Sequence, residues 1–288
     1  MQKEINIGGI VVSKISPTFI IAEIGINHNG NINLAKKMID VAISAGCQAV
    51  KFQKRTVEKV YSKEELEMPR ESVFGVTNGD LKRGLEFSFE QYKAIDDYCK
   101  KRGIIWFASC WDKESVDFID EFNPPCYKIA SASLTDDELL RHTRSKGKPI
   151  LLSTGMSTLE QISHAVDVLG KKDLLLFHCT STYPTNHNEI NLNAIPELEK
   201  EFDCLVGFSG HERGLVPSTI SVIKGAVAVE RHITMDRTLW GSDQAASLEP
   251  AGIHRLVRDI KIAKESLGNG KKVVYESEKP IIKKLRKI

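Results

Sequence analysis

Short apolar runs alternate with amphipathic stretches along most of this chain. The run at 19–22 is four apolar residues that lead straight into Glu23 and then into a polar, glycine-punctuated turn carrying Asn27, His28 and Asn29. A run of that length bounded by turn residues reads as a strand buried on both faces. Leu34, Met38, Val41, Ala42 and Ala45 then share one helical face, with Asn33 as the expected N-cap and Gly46 as the stop. A strand over 49–53 follows. Residues 54–87 form a long polar stretch with Pro69, Gly75, Gly79 and Gly84, the kind of excursion that serves as a lid or carries short helices of its own.

The alternation then resumes. The pattern predicts a helix over 89–102, a strand over 104–109, a helix near 113–121, a strand over 126–129, a helix near 136–146 and a strand over 150–153. An apolar stripe of Leu159, Ile162, Val166 and Leu169 leads to a strand over 173–179. Helix 193–201 precedes strand 204–210, helix 214–224 precedes strand 226–232, and a last helix carries Ile253, Leu256, Val257 and Ile260. Eight strands alternating with eight helices argue for a closed (β/α)8 TIM barrel over an open doubly wound sheet. No GxGxxG or P-loop pattern follows any strand. Ahead of the barrel, INIGGIVV at 5–12 carries a hairpin signal and is expected to cover one end. The expected organisation is hairpin 1–16, barrel 17–268 and a basic, linker-like tail 269–288.

Composition narrows the class. The 288 residues are 41% hydrophobic and 27% charged, near the average of globular proteins, and a barrel of this type takes about 250 residues. No apolar run approaches the roughly 20 residues of a spanning helix, and MQKEINIGG lacks the regions of a signal peptide. The six cysteines are scattered with no CxxC pair, as suits reduced thiols, so a cytoplasmic location is expected. A net charge of +2 leaves no nucleic-acid footprint, and no membrane partner is expected. Residues 270–288 carry seven Lys and Arg against Glu276 and Glu278. That excess reads as a solvated tail or as an electrostatic contact with a partner.

The chemistry collects at the carboxyl ends of the predicted strands, where the loops of a parallel barrel converge. Strand one ends in Glu23, strand two carries Lys51 and Gln53, and strands three to five supply Ser109, Lys128, Ser131, Ser153 and Thr154. Strand six brings His178, Thr180, Ser181 and Tyr183, strand seven Ser209 and His211, and strand eight Glu230 and His232. Singly, each has a plain reading: a snorkelling lysine, a serine capping the next helix, a packed histidine at 178. Jointly, two lysines and two glutamates in one mouth point to a charged ligand, because buried strands exclude such residues unless paired. His211 and His232 end successive strands, so their imidazoles can meet on one metal ion whose open positions act as a Lewis acid. Lysines, hydroxyls and helix N-termini suit a phosphate and a carboxylate.

The motifs AEIGINHNG (22–30), KFQ (51–53), YKIAS (127–131), LSTGM (152–156), HCTSTYPT (178–185), GFSGH (207–211) and ERH (230–232) resemble the sialic acid synthase (N-acetylneuraminate synthase) family over about 17–268. The resemblance implies a barrel that condenses phosphoenolpyruvate with an N-acylated hexosamine such as N-acetylmannosamine. The products are a sialic-type nonulosonic acid and phosphate, with divalent Mn²⁺ or Mg²⁺ as cofactor and a homodimer as assembly. By position it implies metal ligands His211 and His232. Lys51, Ser109, Lys128, Ser131, Ser153, Ser181 and Ser209 fall around phosphoenolpyruvate, and Glu23, Gln53, Tyr183, Glu230 and Asp243 near the sugar and the reacting centre. This chain has Ser181 where the family pattern has Asn, Gly210 where it often has Asp, and Ala108-Ser109-Cys110-Trp111 in place of STPF. The change at Gly210 is expected to remove a carboxylate from near the metal. The chain reads as a form lacking the family's C-terminal antifreeze-like domain, whose arginine reaches the N-acyl group across a dimer; WGSDQAAS (240–247) is the expected substitute contact. Two other activities remain open: a 3-deoxy-octulosonate phosphate synthase-like condensation with a phosphorylated aldose, and a sugar-binding barrel without catalysis.

Overall fold

The computed structural model describes residues 3–287. Strands β1 (Glu4–Ile7) and β2 (Ile10–Ser13) pair as an antiparallel hairpin. The chain continues through β3 (Phe19–Gly25), α1 (Ile32–Ala45) and β4 (Ala49–Lys54). The polar excursion then folds as α2 (Val57–Val60), α3 (Lys63–Glu67), a second hairpin of β5 (Pro69–Ser72) and β6 (Gly75–Thr77), and α4 (Asn78–Leu85). After it come α5 (Phe89–Arg102), β7 (Ile105–Cys110), α6 (Lys113–Asp120), β8 (Tyr127–Ile129), α7 (Asp137–Ser145), β9 (Ile150–Ser153) and α8 (Leu159–Leu169). The remainder is β10 (Leu174–Cys179), α9 (Ala194–Phe202), β11 (Leu205–Gly210), α10 (Val216–Ile223), β12 (Ala228–His232), α11 (Pro250–Ser266) and α12 (Lys279–Leu285).

Eight strands close in the order β3-β4-β7-β8-β9-β10-β11-β12, with every ladder parallel and β12 pairing back to β3. This is the TIM barrel that the alternation predicts. Side chains alternate between bore and outer face along each strand. Outward residues such as Ile20, Ala22, Val50 and Trp106 pack with the inner stripes of the ring helices, and Leu152, Leu176 and Val206 do the same on the opposite side. Inside the bore, Phe19, Ile21, Ala49, Phe107, Leu151, Leu175, Leu205 and Ala228 form an apolar floor, closed by Ile5, Ile7 and Val12 of the hairpin. The amino-terminal hairpin thus plugs the end opposite the strand carboxyl termini.

One local expectation changes. Helix α1 is capped by Asn31, which is extended and whose side chain accepts from the backbone N–H of Asn33 and Leu34; Asn33 lies inside the first turn. The tail read as linker-like carries α12, opened by a proline at its start, with Ile281 and Leu285 exposed. All six cysteines are buried and unpaired. Among the described residues no helix is long and apolar enough to cross a membrane.

Candidate active site at the carboxyl end of the barrel

Two residues beyond five of the floor positions, the bore turns polar. Ile21 is followed by Glu23, Ala49 by Lys51, Phe107 by Ser109, Leu151 by Ser153 and Ala228 by Glu230. These side chains line one cavity of about 260 Å³ together with Gln53, Lys128, Ser131, Ser181, Tyr183, Ser209, His211 and His232. Asp243 lies outside that lining, as do Thr154, His178 and Thr180. It stands behind His232 on the loop after β12, its Oδ2 3.7 Å from His232 Nδ1. His178 points out of the bore and bonds the Ile190 carbonyl at 2.7 Å, as strand parity requires with Phe177 and Cys179 facing in.

The four charges of the mouth pair with one another. Glu230 is the hub: Lys51 Nζ lies 2.8 Å from its Oε1 and Lys128 Nζ 2.7 Å from its Oε2, with Ser209 Oγ donating at 3.3 Å. Lys51 also reaches Glu23 Oε2 at 3.4 Å and donates to Ser109 Oγ at 3.1 Å. Gln53 Nε2 donates to Glu23 Oε1 at 3.1 Å. Gly25, at φ +54°, makes room for this bond: a Cβ there would lie 2.9 Å from Glu23 Oε1. Lys51 is closed in by Glu23, Glu230 and Ser109, whereas Lys128 makes one hydrogen bond, to Glu230, and keeps donors for an incoming anion.

Burial sets the protonation. It pushes the Glu23 carboxyl up to about 7, against the pull of Lys51 and with Glu230 adding to it. Burial acts the same way on Glu230, yet Lys128 and Lys51 together hold it well below the carboxylate range. Lys51 would be lowered by burial, but Glu23 and Glu230 keep it above the ordinary lysine value. Lys128 is pushed down, by burial first and by Lys51 in addition, with Glu230 opposing. At neutral pH the cluster holds two ammonium groups, one firm carboxylate and one carboxyl poised to gain or lose a proton.

The opposite wall is imidazole. The rings of His211 and His232 are 5.6 Å apart, and Tyr183 lies 4.1 Å from the first and 5.7 Å, edge-on, from the second. His211 Nδ1 pairs with the Thr180 carbonyl at 2.8 Å, which fixes the ring and leaves Nε2 as a free lone pair. His232 Nδ1 is buried without a hydrogen-bond partner. Burial pushes His211 down to about 3, the neighbouring His232 adding to it, and lowers His232 also, so both are the neutral bases that a cation needs. The pair fits a divalent metal on these grounds. Among the described residues no third His, Cys, Asp or Glu joins them in a metal-holding group, so substrate and water would complete the coordination.

Several features were not read from the sequence. Cys179 lines the cavity with its Sγ 3.3 Å from Ser131 Oγ; its parity with Phe177 was the available signal. Trp111 lines the mouth beneath the Arg55 guanidinium, 4.5 Å from its ring, and Arg55 also bonds Gln53 and Glu86. A second cavity of about 760 Å³ lies between the β5–β6 hairpin and the loop after β12, lined by Arg70, Lys82, Trp240 and Ser242 among others. Phe74 closes edge-on to Trp240 there, 5.7 Å between rings. Position 210 faces away from the mouth, toward Glu212 and Arg231. A carboxylate there would stand outside the cavity lining, so Gly210 does not deprive the site of an inward-facing acid.

Comparison with known proteins gives the family. The NeuB family model matches residues 38–272. N-acetylneuraminate-9-phosphate synthase of Mus musculus is 39% identical over 276 residues, 94% of this chain and 77% of that protein. N,N'-diacetyllegionaminic acid synthase of Legionella pneumophila is 36% identical over 279 residues, 91% of this chain and 77% of that one. Among solved structures, the N-acetylneuraminic acid (sialic acid) synthetase of Leptospira borgpetersenii, in complex with citrate, superposes with a TM-score of 0.86 at 31% identity, covering 99% of this chain and 96% of that one. With a family match over most of its length and relatives named as synthases, the chain belongs to the NeuB family and is an enzyme of that synthase kind.

Proposed function

We propose that the enzyme condenses phosphoenolpyruvate with an N-acylated hexosamine of the N-acetylmannosamine type, forming a nonulosonic acid and releasing phosphate. The observation that carries this reading is one cavity with Lys51, Lys128 and five serines on one side and two neutral imidazoles on the other. Ammonium and hydroxyl donors bind the phosphate and carboxylate of the enol substrate. His211 and His232 would hold a divalent ion, Mn²⁺ or Mg²⁺, which when bound would supply Lewis-acid polarisation of the acceptor aldehyde.

The protein's own groups account for the rest. Lys51 and Lys128 hold the enol phosphate so that its methylene carbon faces the aldehyde carbon, where the new C–C bond forms. The former enol carbon then takes up a water oxygen, and the C–O bond to phosphate breaks to leave the keto acid. The water oxygen surrenders two protons, the first on attack, matched by the one the former aldehyde oxygen gains, and the second to the departing phosphate as the C–O bond breaks. Glu23, whose burial poises it near 7, is placed to accept the first and return it. Tyr183 covers the imidazoles and excludes water from that side. Lys128 offers the anion the donors that Glu230 leaves free.

The second cavity supports a finer reading of the acceptor. It is lined by Trp240, Gly241 and Ser242 of the loop that carries Asp243, and in this reading it takes the distal part of the sugar. Burial, with Arg55 and Arg70 adding and Asp243 opposing, pushes Lys82 below the lysine range, which marks a cluster of cations at that end. Such a cluster suits a phosphorylated hexosamine, in keeping with the relative from mouse named as a 9-phosphate synthase. Cytoplasmic location and a homodimer complete the proposal.

The test is phosphate release from phosphoenolpyruvate with a panel of free and 6-phosphorylated N-acylhexosamines and simple aldose phosphates, with Mn²⁺ and after chelation. Turnover with an N-acylhexosamine supports the reading. Turnover only with an aldose phosphate lacking the N-acyl group favours an octulosonate-type condensation, and no turnover with any aldose favours a sugar-binding barrel.

A further inference from the structure

Between the two imidazole-bearing strands, on the outside of the barrel, sits an ion pair with no exposure on either side chain. Arg231 Nη1 lies 2.8 Å from Glu212 Oε1. The same nitrogen donates to the Gly214 carbonyl at 3.0 Å and to Ser218 Oγ at 2.9 Å, while Nη2 donates to the Glu212 carbonyl at 2.7 Å. Ser218 in turn donates to Glu212 Oε1 at 2.7 Å. One guanidinium on β12 thus gathers both the side chain and the backbone of the segment that follows β11.

The neighbours of this pair in sequence are the site's imidazoles: His211 precedes Glu212, and His232 follows Arg231. Alternation puts Arg231 outside and His232 inside, so joining 212 to 231 outside fixes how 211 and 232 face each other inside. Stability alone is a poor reason for such a pair, since well-packed apolar residues of like volume serve as well or better. The guanidinium fork instead supplies direction, holding four partners that a point charge could not. The inner anchor of His211 on Thr180 and the backbone bond from Thr185 N to the His211 carbonyl at 3.0 Å tie the same segment from the other side.

Gly210 belongs to the device. A Cβ at that position would lie 2.4 Å from Glu212 Oε2 and 2.9 Å from Arg231 Cδ. The space a side chain at 210 would take is the space the Glu212 carboxylate fills.

We propose that the Glu212–Arg231 pair is a positioning clamp that sets the spacing and facing of His211 and His232 for one shared divalent cation. The proposal rests on the metal reading above. Neither residue touches substrate, and either carboxylate position, 212 or 210, can serve Arg231.

The test is titration of metal-free enzyme with Mn²⁺, following free Mn²⁺ by electron paramagnetic resonance, beside circular dichroism and the KM for phosphoenolpyruvate. Glu212→Gln and Arg231→Met are expected to weaken Mn²⁺ binding by about 10- to 100-fold while the fold and the phosphoenolpyruvate KM at saturating Mn²⁺ stay near wild type. Gly210→Asp/Glu212→Ala is expected to recover most of the lost affinity by offering a carboxylate to Arg231 from the other position. If Arg231→Met does not fold, the near-isosteric Glu212→Gln and the rescue variant carry the test. Tight Mn²⁺ binding by wild type with unchanged affinity in Glu212→Gln would overturn the clamp alone, as would an equal rise in the phosphoenolpyruvate KM. Absence of Mn²⁺ binding by wild type would overturn the metal reading and the clamp with it.

Discussion

The two ends of the bore differ by one layer of side chains. At the amino end Ile21, Ala49, Phe107, Leu151 and Ala228 meet a hairpin that contributes Ile5, Ile7 and Val12, and none of these needs a polar partner. One layer up, on the same strands, Glu23, Lys51, Ser109, Ser153 and Glu230 are also buried, and Glu23, Lys51, Ser109 and Glu230 are each joined to another polar group. Apolar packing tolerates neighbours of roughly the right size, whereas a buried charge is stable only against its partner. The floor therefore holds the barrel shut, and the upper layer is where the barrel's stability and its chemistry meet.

The largest expected effects are at the imidazoles. His211→Ala or His232→Ala should abolish stoichiometric Mn²⁺ binding and lower condensation by about a thousandfold or more, with little change in melting temperature. Calorimetric titration together with thermal melts checks the contrast. Next, Lys128→Met leaves Glu230 with one lysine inside a buried cluster, and a broken buried pair costs about 3–5 kcal/mol. Denaturant unfolding should show that loss, and the KM for phosphoenolpyruvate should rise. In the floor, Ile7→Ala should cost about 2–5 kcal/mol while kcat and KM stay unchanged. A substantial change in KM would show that the two layers are not independent.

The smallest effect is a slope. Because the Glu23 carboxyl is raised in the folded state from 4.5 to about 7, the native protein holds a proton between those values that the unfolded chain has lost. Its contribution to stability is present below pH 4.5 and disappears as pH rises through 7. Glu23→Gln should flatten stability against pH in that window, as measured by unfolding at several pH values. A slope left intact in the variant would show that Glu23 is ionised like an ordinary carboxylate.

Much of this arrangement was legible because a barrel strand has period two and a defined catalytic end. Glu23, Lys51, Ser109 and Ser153 follow from where the apolar runs stop, and His178 was readable as a packed residue. What the linear pattern does not contain is which groups meet across the bore. Lys128 and Glu230 lie on strands that are not neighbours, so their 2.7 Å contact becomes visible only once the barrel has closed. For the same reason the pairing of Glu230 with both lysines is hidden in the sequence, where the four charges read only as a set facing a ligand. The cap of α1 was misplaced by two residues because Asn31 and Asn33 are equivalent in type and only backbone angles choose between them. The cleft by Trp240 depends on the β5–β6 hairpin, hidden in a stretch with no clear period.

The most direct measurement of the central claim follows phosphoenolpyruvate labelled with ¹³C at its enol carbon by ³¹P and ¹³C NMR, in the presence of Mn²⁺ and an N-acylhexosamine. The account predicts that the enol phosphate signal is replaced by inorganic phosphate in step with a ¹³C signal of a sugar-type keto or hemiketal carbon, one methylene away from the former acceptor carbon, and that omission of the sugar stops both. Phosphate release that continues without the sugar, with the label recovered in pyruvate, would contradict it.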